Sequence, residues 1–313
     1  MYFPYLRGRQ YELLALRELV EKDAISKKVI PIIEPVKLSA TLLKTMDAFI
    51  KNNRQMIVIC NPAVGNFVTD MKTDDKNQEQ FLSLLKSEEI IKGHIMKKMS
   101  AQFIDIWKDK MGVNKEDWVV LNNKREFVDE YSNIFAEQPP KFVLIPDESN
   151  FRRKTREGNN RVLLADRFNK LDRNSDYSKN EDEFYSDDHL YYDIDGYRGF
   201  SDYSIIGNDY LESGFAPYAV AIHIIYLKKD DSLWVHHFVS DSNDDIQNPA
   251  KKFYEAVSKL ADWCEINHID LTIGLKTFIE HYHNQTYPGL GSVKKLSLMH
   301  HIELLSKLLD GVK

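Results

Sequence analysis

The chain has 313 residues, is 43% hydrophobic and 29% charged, and carries a net charge of −6. That is enough for one large domain or two ordinary ones around a sizeable core, and it excludes a global basic footprint for nucleic acid. The two cysteines, Cys60 and Cys264, sit among apolar neighbours and read as buried thiols; with no apolar run near the ~20 residues that span a bilayer and no signal-peptide core in MYFPYLRGRQ, a cytoplasmic protein that makes no use of a membrane is expected.

Short apolar runs alternate with helical patterns through the first two thirds of the chain. Tyr2 to Leu6 is a strand, with Pro4 tolerable at its edge. A helix over Tyr11 to Lys22 follows, with Leu13, Leu16, Leu19 and Val20 at helical spacing. Val29 to Glu34 is the second strand, and it ends on a carboxylate. Ser39 caps a helix running through Ile50. Met56 to Cys60 is a strand, Asn77 to Leu85 a helix, and Ile90 to Met96 a strand. Ala101 to Met111 is helical, Trp118 to Leu121 extended, and Arg125 to Phe135 helical up to the Pro139-Pro140 breaker. Strands follow at Phe142 to Ile145 and Arg161 to Ala165. Asp172 to Asp188 reads as a loop with a short helix, and Ser201 to Ile206 as the last strand of the series.

Repeated strand–helix units imply a parallel sheet. Eight of them over residues 1–210 fit a (β/α)8 TIM-barrel-like domain, with a doubly wound open sheet as the rival. The rival lacks a glycine-rich phosphate loop after its first strand. Residues 211–313 change character. Tyr218 to Leu227 and Leu233 to Ser240 form a hairpin around a polar loop, and helices follow at Pro249 to Ile266, Leu275 to His283 and Ser292 to Leu309. This is an appended C-terminal α+β region. Glu212-Ser213-Gly214 reads as turn chemistry at its start.

A parallel barrel opens all strand carboxyl ends on one face. The residues there are Arg7, Glu34, Asn61, Lys97, Asn122, Asp147, Asp166 and Asp202, all polar. Polar strand ends are ordinary where loops meet solvent. As a functional ring, Glu34, Asp147, Asp166 and Asp202 would be catalytic, either around a hard cation such as Mg²⁺ or as acid and base without metal. Arg7, Asn61 and Lys97 would bind substrate, with Arg7 and Lys97 on a phosphate. Arg152 and Arg153 belong to the dense basic cluster Arg152-Arg153-Lys154-Thr155-Arg156, which would grip a polyanion or remain a solvated loop. His236 and His237 lie on opposite faces of one strand, so one of them faces the interior or a partner element. His281 and His283 flank Tyr282 on a helix and share no face, His300 and His301 are adjacent, and no Cys/His zinc spacing occurs, so no structural zinc is expected.

Pro4, Leu6, Arg7, Arg9 and Glu12, then Ala15-Leu16 and Pro31-Ile32-Ile33-Glu34, resemble the signature of the phage-type "beta protein" family. Gly199-Phe200-Ser201-Asp202-Tyr203, His237-Phe238-Val239-Ser240-Asp241-Ser242 and Pro288-Gly289-Leu290-Gly291 are similar to one bacterial branch of it. The resemblance implies a barrel and a role in phage–host conflict; it assigns no catalytic residue. Two functions follow as expectations. One is a hydrolase or transferase, metal-assisted or not, acting on a phosphate-containing or nucleic-acid substrate. The other is a non-catalytic binding or regulatory subunit that docks a partner protein encoded nearby, such as a nuclease.

Overall fold

The computed structural model describes residues 1–155, 159–210 and 217–311. The chain divides into two compact units, one comprising Met1–Gln10, Lys27–Asp166 and Asp188–Tyr203, the other Tyr11–Ser26, Arg167–Asp187 and Ser204–Lys313. The units therefore interleave along the sequence, and no single boundary near residue 210 separates them. Arg156 and Glu212–Gly214 lie outside the described residues.

The strands, in chain order, are β1 (Tyr5–Leu6), β2 (Ile32–Ile33), β3 (Met56–Ile59), β4 (Ile90–Ile95), β5 (Trp118–Leu121), β6 (Phe142–Ile145), β7 (Arg161–Leu164), β8 (Asp182–Ser186), β9 (Gly199–Ser201), β10 (Ala221–Leu227) and β11 (Leu233–Val239). The first unit is an eight-stranded parallel sheet ordered β1-β2-β3-β4-β5-β6-β7-β9. It closes on itself at the N-terminus: Phe3 N donates to Phe200 O at 2.9 Å, and Tyr5 N donates to Asp202 O at 2.8 Å. This is the (β/α)8 barrel expected from the alternating units. Its strands read as continuous apolar runs because both faces are buried. Alternate residues fill the lumen: Phe3, Tyr5, Ile32, Ile57, Ile59, Ile91, Ile95, Val119, Leu121, Leu144, Val162, Leu164 and Tyr203 form one buried cluster.

Two elements of this unit differ from expectation. The eighth barrel strand is Gly199–Ser201, not Ser201 to Ile206, and Ser204–Ile206 is a 3-10 turn. The reason is steric. A Cβ on residue 199 would stand 2.5 Å from Met1 O and 2.7 Å from the Phe3 ring, so only glycine lets the last strand press against the N-terminus. The helix expected from Asn77 begins at Asp75, and a further helix, Phe67–Thr73, precedes it. Asp74 ends one and caps the other, its side chain accepting from Asn77 N.

The second unit holds an antiparallel sheet ordered β10-β11-β8. The hairpin β10–β11 is the expected one. Strand β8 comes from the stretch read as loop and short helix, and it follows a 3-10 segment, Asn174–Lys179. Helices Pro249–Ile266, Ile273–His283 and Leu290–Leu309 complete the unit. Among the described residues no helix is long and apolar enough to cross a membrane.

Candidate functional site

Side chains alternate across a strand, so the lumen phase set by Tyr5, Ile32, Ile59, Ile95, Leu121, Leu164 and Tyr203 decides which strand-end residues reach the barrel mouth. Two residues beyond the first six of these positions come Arg7, Glu34, Asn61, Lys97, Asn123 and Asp166. Asn122, Asp147 and Asp202 are one residue out of step.

The in-phase residues interact. Glu34 is fully buried. Its Oε2 accepts from the Tyr5 hydroxyl at 2.8 Å and from Arg7 Nη1, and its Oε1 accepts from Ala63 N at 2.7 Å. Arg7 lies 5.3 Å from the Tyr5 ring centroid and 5.7 Å from that of Tyr203, a cation held by two aromatic rings as well as its ion pair. Burial works against the charge on Arg7, but Glu34 and the two tyrosines outweigh it and raise its pKa. Burial, with Glu34 adding to it, holds the Tyr5 hydroxyl protonated far beyond its ordinary range. Burial likewise pushes Tyr203 up to about 12, with Arg7 opposing and Asp166 and Glu34 reinforcing. Asn123 approaches the same hydroxyl.

Asn61 is buried, and its amide is spent on the β4 backbone: Nδ2 donates to Ile95 O at 2.9 Å and Oδ1 accepts from Ile95 N at 2.8 Å. It clamps two strands together. Lys97 Nζ donates to Asn61 O at 3.1 Å; burial lowers its pKa and Glu34 partly restores it. Lys97 and Asp166 are both exposed, so they are the in-phase charges that meet solvent most directly.

The out-of-step residues go elsewhere. Asp202 is buried and accepts from the Tyr2 hydroxyl at 2.7 Å, outside the lumen. Asp147 is exposed, accepting from Tyr197 at 2.6 Å and from Arg152 at 2.8 Å. Asn122 is fully buried and its amide makes no hydrogen bond to a described residue. Arg153 is exposed and donates to Ser149 O at 3.2 Å. The four carboxylates thus do not form one ring: Glu34 and Asp166 belong to the mouth, Asp147 and Asp202 do not. Among the described residues no group of three or more His, Cys, Asp or Glu side chains is placed to hold a metal ion.

Tyr5, Tyr203, Asn123 and the Ala63 amide complete the site, and none was singled out from the sequence. Counting in twos from Phe3 gives Tyr5 and then Arg7, a signal that was there to find. Compared with known proteins, the chain matches no protein-family model and no curated protein.

Proposed function

We propose that the barrel mouth binds a phosphate-bearing substrate, a nucleotide or nucleic acid, and hydrolyses or transfers a group on it. Arg7 and Lys97 contact the anion, and Asp166 moves the proton. What carries the reading is the Arg7 site: a buried carboxylate and two tyrosine rings fix one guanidinium at the carboxyl end of a closed barrel, where such folds keep their chemistry. Glu34 is a positioning residue here, because its oxygens are already occupied by Tyr5, Arg7 and Ala63. Mg²⁺ is not assigned protein ligands, since the Glu34 oxygens are already engaged and Asp147 and Asp202 lie outside the mouth. A role in phage–host conflict, which the family resemblance implies, fits a nucleotide or nucleic-acid substrate.

The test is a melting and calorimetric panel of inorganic pyrophosphate, nucleoside triphosphates and a single-stranded oligonucleotide, followed by phosphate-release or cleavage assays on whatever binds. Binding is expected to weaken at least ~10-fold in Lys97→Met, the worth of one lost charge-assisted contact. Asp166→Asn is expected to keep binding and lose turnover. Failure of every panel member to bind, or equal binding by wild type, Lys97→Met and Arg7→Lys, would overturn it.

A further inference from the structure

A second cluster of ionisable groups, confined to the other unit, is not used by the barrel mouth. His223 on β10 and His237 on β11 are directly opposed in the hairpin register. Their Nδ1 atoms are 2.7 Å apart, a hydrogen bond that holds one proton. On the far side, His237 Nε2 stands 3.2 Å from Glu183 Oε1 on β8. Glu183 Oε2 is in turn held by the side-chain amides of Asn169 and Asn180, each at 3.3 Å. Tyr177 packs against both imidazoles with centroids 4.6 Å away, and Phe168 lies 5.1 Å from His223.

These contacts fix the tautomers. A carboxylate accepts only, so His237 carries its proton on Nε2 and presents a lone pair at Nδ1. His223 must then donate from Nδ1, which leaves its Nε2 as a bare lone pair. That nitrogen makes no hydrogen bond to a described residue, and His223 is partly exposed.

We propose that Glu183, His237 and His223 form a proton relay whose working end is Nε2 of His223, a general base for a hydroxyl or water proton of a bound substrate. The proton balance closes without moving a heavy atom. A proton taken at Nε2 of His223 releases the Nδ1 proton of His223 across the 2.7 Å contact to Nδ1 of His237. The positive charge comes to rest on His237, beside Glu183, with both hydrogen bonds kept. His237 and Glu183 are the positioning residues of this site, the arrangement that orients a catalytic imidazole elsewhere. Burial, then His237 and Lys294, hold the pKa of His223 well down, so the imidazole is neutral at physiological pH and keeps the Nε2 lone pair. Tyr177 is the other titratable group packed on the pair, while His236 and Asp182, on the opposite face of the sheet, act on His237 through their charge alone.

The experiment reads the base directly and needs no substrate. Nitrogen-15 NMR of the histidine rings is expected to show His223 as the Nδ1–H tautomer and His237 as the Nε2–H tautomer. Diethylpyrocarbonate labelling, followed by mass spectrometry across pH, is expected to modify His223 at Nε2. Its rate should fall roughly three- to ten-fold in Glu183→Gln, because a neutral amide supports positive charge on the imidazole pair less well than a carboxylate, and recover in Glu183→Asp. An Nε2–H tautomer at His223, or a labelling rate indifferent to Glu183→Gln, overturns the proposal. Should Glu183→Gln not fold, the wild-type tautomers decide it.

Discussion

Glu34 and Arg7 form an ion pair in which the carboxylate side chain has no exposure and the guanidinium side chain only 14%. Removing either partner strands the other charge away from water, and that penalty, not the attraction itself, governs what mutation does.

Glu34→Ala is therefore expected to destabilise the fold by about 3–5 kcal/mol, measured as a shift in urea midpoint. The double variant Arg7→Met/Glu34→Leu should recover much of the loss, since apolar side chains of similar volume fill the same space. A single variant as stable as wild type would mean that the pair opens to solvent.

The two out-of-step aspartates separate stability from binding. Tyr2→Phe removes a buried hydrogen bond to Asp202 and should cost about 1.5–3 kcal/mol, the range for a bond to a charged acceptor. Asp147→Asn breaks exposed contacts and should change stability by no more than about 1 kcal/mol. Neither substitution should alter binding of a phosphate-bearing ligand at the mouth, a direct contrast with Lys97→Met by calorimetry.

Three buried histidines predict acid sensitivity. Burial lowers His94 to about 3, His300 to about 4 and His301 to about 3. The unfolded chain takes up protons near pH 6.5 while the folded protein does not. Stability is thus fully present above that pH and is lost as the pH falls toward the folded values, by roughly 1 kcal/mol per pH unit per histidine. Urea midpoints at pH 7.5 and 5.0 check the sign. His301→Gln should flatten the slope, and a slope unchanged in that variant would contradict the assignment.

The barrel was legible because doubly buried parallel strands leave an unmistakable trace, runs such as Met56–Cys60 and Trp118–Leu121. The mouth was only half legible. Strand ends can be found from where apolar runs stop, but which end faces the lumen depends on phase, and Asp147 and Asp202 miss it by one residue. The cage around Arg7 depends on how β9 registers against β1, a contact between residues 7 and 203 that no local pattern encodes. Strand β8 was invisible for a similar reason: Asp-Glu-Phe-Tyr-Ser has no apolar alternation, and it is extended because β11 offers it hydrogen bonds. The Glu183–His237–His223 chain was hidden with it.

The seam between Phe3 and Phe200 also bears on how the protein is made. At roughly 5–20 residues per second, a ribosome needs about 10–40 s to deliver the final partner of the first strand. During that interval Phe3 and Tyr5, which end up inside, have no cover. A nascent chain interrupted before Gly199 is not a smaller barrel but an open sheet with two bare edges, the form in which strands find the wrong neighbours and aggregate.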